Sequence, residues 1–287
     1  MLPVLSGLVT GSMTNTLDNP ISVVDSGCGS RSASQTGMLI INADDWGLDE
    51  NNTDRISECV ARGTVSSVSA MVLMEDSERG AAIARERVID AGLHLNFTTS
   101  FSARNCSSRL REHQRQLTDY LRSHRFGRVV YRGGLVSSFE YVVSAQMEEY
   151  QRLYGQPPCR LDGHHHMHLC ANVLLEKLLP AGSVVRRNET FLATEKGLIN
   201  RLYRRAVDRV LARRHAIVDF FSTLAPVQPA SRLQRLISLS RHFIVELETH
   251  PVDPDEYRLL TSGEIFERIG DLQIARQFAL ARIKHIA

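Results

Sequence analysis

Four short clusters in this 287-residue chain carry side chains able to hold a cation or move a proton. They are Asp44-Asp45, His94 within Gly92-Leu93-His94-Leu95, Asp162-Gly163-His164-His165-His166-Met167-His168, and His250-Pro251. Taken singly, each has a bland explanation. An acidic pair is usually solvated in a loop, and a lone histidine in an apolar strand is usually hydrogen-bonded core. Four imidazoles in five positions are costlier to pack without a purpose, and their mid-chain place argues against a purification tag. Two imidazoles with one carboxylate suit a divalent transition ion and leave positions for water and substrate. Such an ion brings the pKa of bound water to about 7 and polarises a carbonyl, which is the chemistry of hydrolysis.

Neighbouring strand side chains point to opposite faces, so Asp44 and Asp45 are expected to do different jobs. One holds the ion and the other acts as general base. In an extended segment His164, His166 and His168 share one side and His165 points away. Asp162 is a candidate to orient a ligand ring. His250 is placed to protonate a leaving amine or to steady a developing oxyanion. None of the cysteines falls within a cluster, which argues against a structural thiolate site.

These clusters need elements that bring them together. Met38–Ala43 reads as a strand buried on both faces, with a helix from about Asn51 that Gly63 stops. Strands follow at Val65–Leu73, Val88–Phe97, Arg160–Asp162, Val184–Val185, Ala216–Phe221 and His242–Glu248. Helices are expected at Ser77–Arg87, Phe139–Tyr154, Ala171–Leu179, Leu198–Arg214 and Leu233–Leu239, with a helical C-terminal region. Seven strands alternating with helices imply an α/β fold, a TIM-barrel-like (β/α) barrel of parallel strands. Each cluster then falls at the end of a strand, where such folds place their chemistry. Thr98 to Val136 breaks the rhythm and reads as an inserted lid, or else as a partly helical packing element.

Residues 1–37, rich in Ser, Thr, Gly and Asn, read as a flexible N-terminal extension, leaving 38–287 as one barrel domain. The composition, 43% hydrophobic and 23% charged, supports a sizeable core. A formal net charge of +2 excludes a field strong enough to favour nucleic acid. No stretch is long and apolar enough to span a bilayer, and no signal peptide is recognisable. Five scattered cysteines, an odd number, point to a reducing, cytoplasmic setting.

The motifs NADDWG, GLHLNFT, LDGHHHMHL and ETHP, in that order, resemble the YdjC-like carbohydrate deacetylases from about Met38 to Leu260. That resemblance implies a (β/α) barrel, hydrolysis of the acetamido group of an N-acetylated amino sugar, and one divalent metal ion. It assigns Asp45, His94 and His164 to the metal, Asp44 to the base and His250 to the acid side, and it suggests a homodimer. Zn²⁺ and Mg²⁺ are the leading ions, with Mn²⁺, Co²⁺ or Ni²⁺ also compatible. The chain departs from the family pattern at Gly163, where a serine is usual, and at Val252, where a glycine is usual. In Arg186-Arg187-Asn188-Glu189 the family's proline is missing, which leaves open whether Arg186 or Arg187 faces the site.

Two rival readings are a hydrolase of another amide or a phosphoester, and a non-catalytic binding module. The first would need more rim carboxylates than the sequence places, and the second would be expected to lose Asp44, His94 or His250. One feature lies outside this chemistry. Arg201, Arg204, Arg205, Arg209, Arg213 and Arg214 decorate a helix whose Ile199, Leu202, Tyr203, Ala206, Val207, Val210 and Leu211 keep helical spacing. It is expected either to cover the barrel with a solvated basic face, or to meet an anionic substrate carrier or acidic partner.

Overall fold

The run Met38–Ala43 forms a strand as its apolar pattern predicts, and the strand continues through both aspartates to Trp46. The computed structural model describes residues 37–278 apart from 125 and 192–194. Apart from Gly37, the N-terminal extension lies outside those residues. Seven strands are present among the described residues: β1 (Met38–Trp46), β2 (Ser67–Ala70), β3 (Ala91–Leu95), β4 (Arg160–Gly163), β5 (Val184–Val185), β6 (Phe220–Thr223) and β7 (Ile244–Thr249). All pair in parallel, in the order β5-β4-β3-β2-β1-β7-β6. Between β5 and β6 the ladder reduces to a bridge from Val184 to Ala216, helped by a Thr190 N–H to Phe221 carbonyl bond of 2.7 Å. The sheet is therefore a curled barrel with one thin seam.

The helices are α1 (Glu50–Ala61), α2 (Ser77–Glu86), α3 (Ser108–Ser123), α4 (Val136–Tyr154), α5 (Ala171–Leu175), α6 (Leu198–Ala212), α7 (Ala230–Leu239), α8 (Pro254–Thr261) and α9 (Glu264–Ile269). Strand alternation sorts the core into two layers. Leu39, Ile41, Ala43, Leu93, Leu161 and Leu247 face outward to the helices. Ile40, Val184, Ala216, Val218, Phe221 and Phe278 fill the floor of the barrel. Above that floor the interior is polar.

Several boundaries differ from expectation for local reasons. Val88, expected in a strand, has φ +55° and is 76% exposed, so β3 starts later, at Ala91. β6 starts at Phe220 because the carbonyls of Val218 and Asp219 accept from Arg187 instead of a strand partner. α5 ends at Leu175, before Lys177 with φ +56°. Within the expected lid, α3 packs Leu110, Gln114, Leu117 and Leu121 inward, and Gln114 bonds to Phe101 N and the Thr99 carbonyl. Ser108–Ser123 within that stretch is therefore a helix packed by its buried face. α6 buries Val207, Asp208 and Leu211, while Ile199, Leu202 and Val210 face out. Its rotation is set by the polar Asp208, which Arg187 and Asn188 hold.

Four of the five cysteines, Cys59, Cys106, Cys159 and Cys170, are unbridged, and Cys28 lies outside the described residues. Among the described residues no helix is long and apolar enough to cross a membrane.

Gly92 makes room for the polar interior. A Cβ there would stand 2.7 Å from Arg160 Cζ, and Arg160 is fixed by bonds to the Val68 carbonyl and Ser69 Oγ. Gly92→Ala should destabilise the fold by about 1–3 kcal/mol in urea unfolding, the cost of overpacking. Added to Arg160→Met, it should cost much less than it does alone. Equal costs in both backgrounds would mean that Arg160 does not occupy this space.

Candidate metal centre

Inward-facing positions bring most of the chemistry to one end of the barrel. β1 contributes Asn42 and Asp44, β2 Ser67 and Ser69, β3 His94, β4 Arg160 and Asp162, and β7 Glu246 and Glu248. Strand register sets neighbours side by side, with His94 opposite Asp162 and Asn42 opposite both Ser67 and Glu248. Ser67 Oγ donates to Asn42 Oδ1, Asn42 Nδ2 donates to Ser69 Oγ and Asp44 Oδ1, and Ser69 Oγ donates to Asp162 Oδ2. Buried polar groups are satisfied by one another along this path.

Arg186, just beyond β5, lies at the centre. Its Nη1 and Nη2 donate to Asp44 Oδ2 and Oδ1 at 2.6 and 2.8 Å, and Nε to Glu246 Oε1 at 2.8 Å. Asp162 Oδ2 and Glu248 Oε2 stand 3.1 and 3.3 Å from the same guanidinium. One cation thus serves four buried carboxylates. Burial pushes Asp44 up, but Arg186 and then His94 outweigh it and hold this carboxyl below the usual range. Asp162 comes down to about 2 in the same way, with burial again overcome by Arg186 and His94. Glu248 goes the other way: burial, with Asp44 adding to it, raises it well above the ordinary value.

Alternation would send Asp45 away from Asp44, but the structure overturns that expectation. The β1–β2 register shifts between Ala43 and Trp46, and Asp45 adopts φ +67°. The bulge turns Asp45 back to the rim, where Oδ1 lies 2.9 Å from His164 Nδ1 and 3.5 Å from His94 Nε2. His94 Nδ1 donates to Asp162 Oδ1 at 2.7 Å, because an ionised carboxylate can only accept. Its Nε2 therefore points at the aspartates. Burial opposes charging of His94, while Asp44, Asp162 and Asp45 push it up to about 9. The same negative field attracts a divalent ion.

The histidine cluster is not extended. His164–Leu169 forms a 3₁₀ turn in which His165 and His166 take φ +55° and +57°, so the four rings diverge. His164 faces Asp45. His165 Nδ1 meets Thr98 Oγ1 at 2.8 Å, and its ring lies 4.0 Å from that of His164. His166 Nε2 is 3.7 Å from Glu248 Oε2. His168, neutral because burial lowers it to about 3, donates from Nε2 to the Arg186 carbonyl at 2.9 Å. It secures Arg186 and has no direct line to a substrate. Gly163 allows this turn, since a Cβ there would come within 3.0 Å of His168 Cβ and N.

Of the two arginines, Arg186 lies among the inward carboxylates, whereas Arg187 points outward to Asp208 on α6. His250 stands at the mouth, its side chain 35% exposed, with Nε2 3.8 Å from Glu248 Oε1 and 4.0 Å from Asp45 Oδ2. Its backbone N–H donates to Glu256 Oε2, which ties the loop to α8.

The donor set fits a divalent ion. One atom each from Asp45, His94 and His164 lies within 4.8 Å of the others. His94 Nε2 is buried with no hydrogen-bond partner, and Asp45 Oδ1, also buried, has only the imidazoles of His164 and His94 beside it. Buried polar atoms are rarely left so. Sequence reasoning missed Glu246, Glu248, Arg160 and the Asn42–Ser69 link. Glu246-Leu247-Glu248 carried a legible signal, acidic residues alternating with leucine in an otherwise apolar strand. Asp162→Asn, which removes the charge behind His94, should weaken Zn²⁺ affinity by about 10–100-fold in calorimetric titration. Unchanged affinity would mean that Asp162 does not orient the ring.

Comparisons with known proteins bear on the family and the fold. The sequence profile described as YdjC-like protein matches residues 38–280. A chitooligosaccharide deacetylase of Yersinia enterocolitica is 25% identical over 248 residues, covering 85% of this chain and 92% of its own. A carbohydrate deacetylase of Brevibacillus brevis is 26% identical, covering 86% and 94%. A solved structure from Enterococcus faecalis V583, named as a candidate cellobiose-phosphate cleavage protein, superposes with a TM-score of 0.58 at 19% identity. It covers 83% of this chain and 97% of its own, and it shares the fold. The chain belongs to the YdjC-like protein family.

Proposed function

We propose that this protein removes the acetyl group from an N-acetylated amino sugar, with Asp45, His94 and His164 holding a divalent ion. The observation that carries this reading is the convergence of Asp45 Oδ1 with His164 Nδ1 and with the buried, unpartnered His94 Nε2, beside an ionised Asp44. Relatives named as chitooligosaccharide and carbohydrate deacetylases support the choice of substrate class. The nitrogen-rich ligand set favours zinc. When bound, the ion would polarise the acetamide carbonyl and acidify water.

The remaining work falls to the chain's own residues. A carboxylate has about four lone-pair sites. Asp44 Oδ1 uses two, on Asn42 and Arg186, and Oδ2 uses one, on Arg186. The last, on Oδ2, is 3.8 Å from His94 Nε2 and is free to accept a proton from the attacking water. Arg186 keeps Asp44 ionised and fixed in place, so it acts as a positioning residue. His250, at the mouth, delivers a proton to the departing amine as acetate leaves. Glu246 adds no rim carboxylate for a phosphoester reading, because Arg186 already engages it in the interior.

Acetate release from N-acetylated oligosaccharides by the metal-loaded protein tests the reading directly. Asp45→Ala and His94→Ala should lose both stoichiometric ion and turnover, measured by elemental analysis beside the assay. Full activity with a stoichiometric ion in either variant would refute the ligand assignment. Asp44→Asn should keep the ion yet lose turnover by about 10²–10⁴-fold, the range for a general base. If it loses the ion as well, Asp44 belongs to the ligand set instead.

A further inference from the structure

Helix α6 turns an apolar stripe to solvent. Ile199 is 85% exposed, Leu202 53% and Val210 46%, and Leu198 adds to the stripe at 61%. Arg205, Arg209 and Arg213 are exposed beside it. Asp208, the one acidic residue of the helix, is buried and taken by Arg187. Below the stripe, Arg201, Arg204 and Arg205 line a cleft of about 100 Å³ together with Glu189 and Asp208. Those two carboxylates are already paired, with Arg232 and Arg187. Arg201 Nε is buried there without a hydrogen-bond partner. Among the described residues none of the three arginines has a carboxylate in ion-pair range.

This face adjoins the rim that carries the site. α6 follows the loop leaving β5, and Asn188 in that loop bonds both to Asp208 and to Arg128. Next to Arg128, Val129 and Val130 are 49% and 51% exposed. An apolar stripe bordered by arginines is the pattern of helices that lie in a lipid–water interface. We propose that this face docks on an anionic phospholipid bilayer, with the stripe entering the acyl boundary and the arginine cleft taking a phosphodiester. A second copy is the poorer occupant, since pairing two α6 faces sets arginine against arginine with no exposed carboxylate on the helix to offset them. The inference stands apart from the hydrolase reading.

Co-sedimentation of the full chain with phosphatidylcholine vesicles, with and without phosphatidylglycerol, provides the test. Binding is expected only with phosphatidylglycerol present, and it should weaken as salt rises. Ile199→Asp/Leu202→Asp should abolish it. Arg205→Glu/Arg209→Glu should lower the partition coefficient by about tenfold or more. All of these positions but Arg205 lie clear of the cleft and the core, so circular dichroism and thermal midpoint should hold in both variants. Three results overturn the proposal: no binding to the anionic vesicles, equal binding to neutral ones, or binding that survives the Ile199→Asp/Leu202→Asp change. A dimer in sedimentation velocity that the same change converts to monomer also overturns it, because a second copy would then cover the stripe.

Discussion

The guanidinium of Arg186, buried on the barrel axis, is the interaction on which the rest depends. It reaches β1 through Asp44, β4 through Asp162 and β7 through Glu246 and Glu248. The strand it follows, β5, is only two residues long and has a single bridge on that side, to Ala216 ahead of β6. The ion-pair network therefore joins, across the interior, a ring that backbone pairing leaves thin at one seam. Stranding one partner of such a buried pair costs about 3–5 kcal/mol, far more than a surface bridge contributes. His168, bonded to the Arg186 carbonyl, fixes the base of this side chain.

The same network places the two aspartates in different surroundings. Asp44 is clasped by Arg186 and Asn42 and has one lone pair to spare. Asp45, one residue on, is released from the strand by the bulge and meets only imidazoles. Adjacent carboxylates of like chemistry thus sit in unlike fields. One is held ionised beside a permanent cation, and the other is left with an atom that a divalent ion would complete.

Much of this was legible in the chain. A continuous apolar run located β1 and Val184-Val185 located β5, and the four clusters fell at strand ends because parallel barrels gather loops on one rim. The failures have local causes. Asp45, His165 and His166 take left-handed backbone angles that no periodicity announces, so alternation assigned their directions wrongly. The exposed side of α6 was misread because spacing reveals that a helix has an apolar stripe, but not that a buried polar residue, Asp208, turns the stripe away from the barrel. Glu246 and Glu248 were hidden in a strand read for its hydrophobicity.

The bulge at Asp45 ties chemistry to backbone in one residue. Left-handed angles are tolerated by glycine and by short polar side chains such as asparagine and aspartate, and resisted by branched or bulky ones. A descendant of this chain that gave up catalysis would be steered toward asparagine or glycine at this position, since those keep the turn while discarding the negative oxygen. Most other replacements would spoil the path of β1 into Trp46 together with the site, so loss of activity and loss of fold would arrive in the same step.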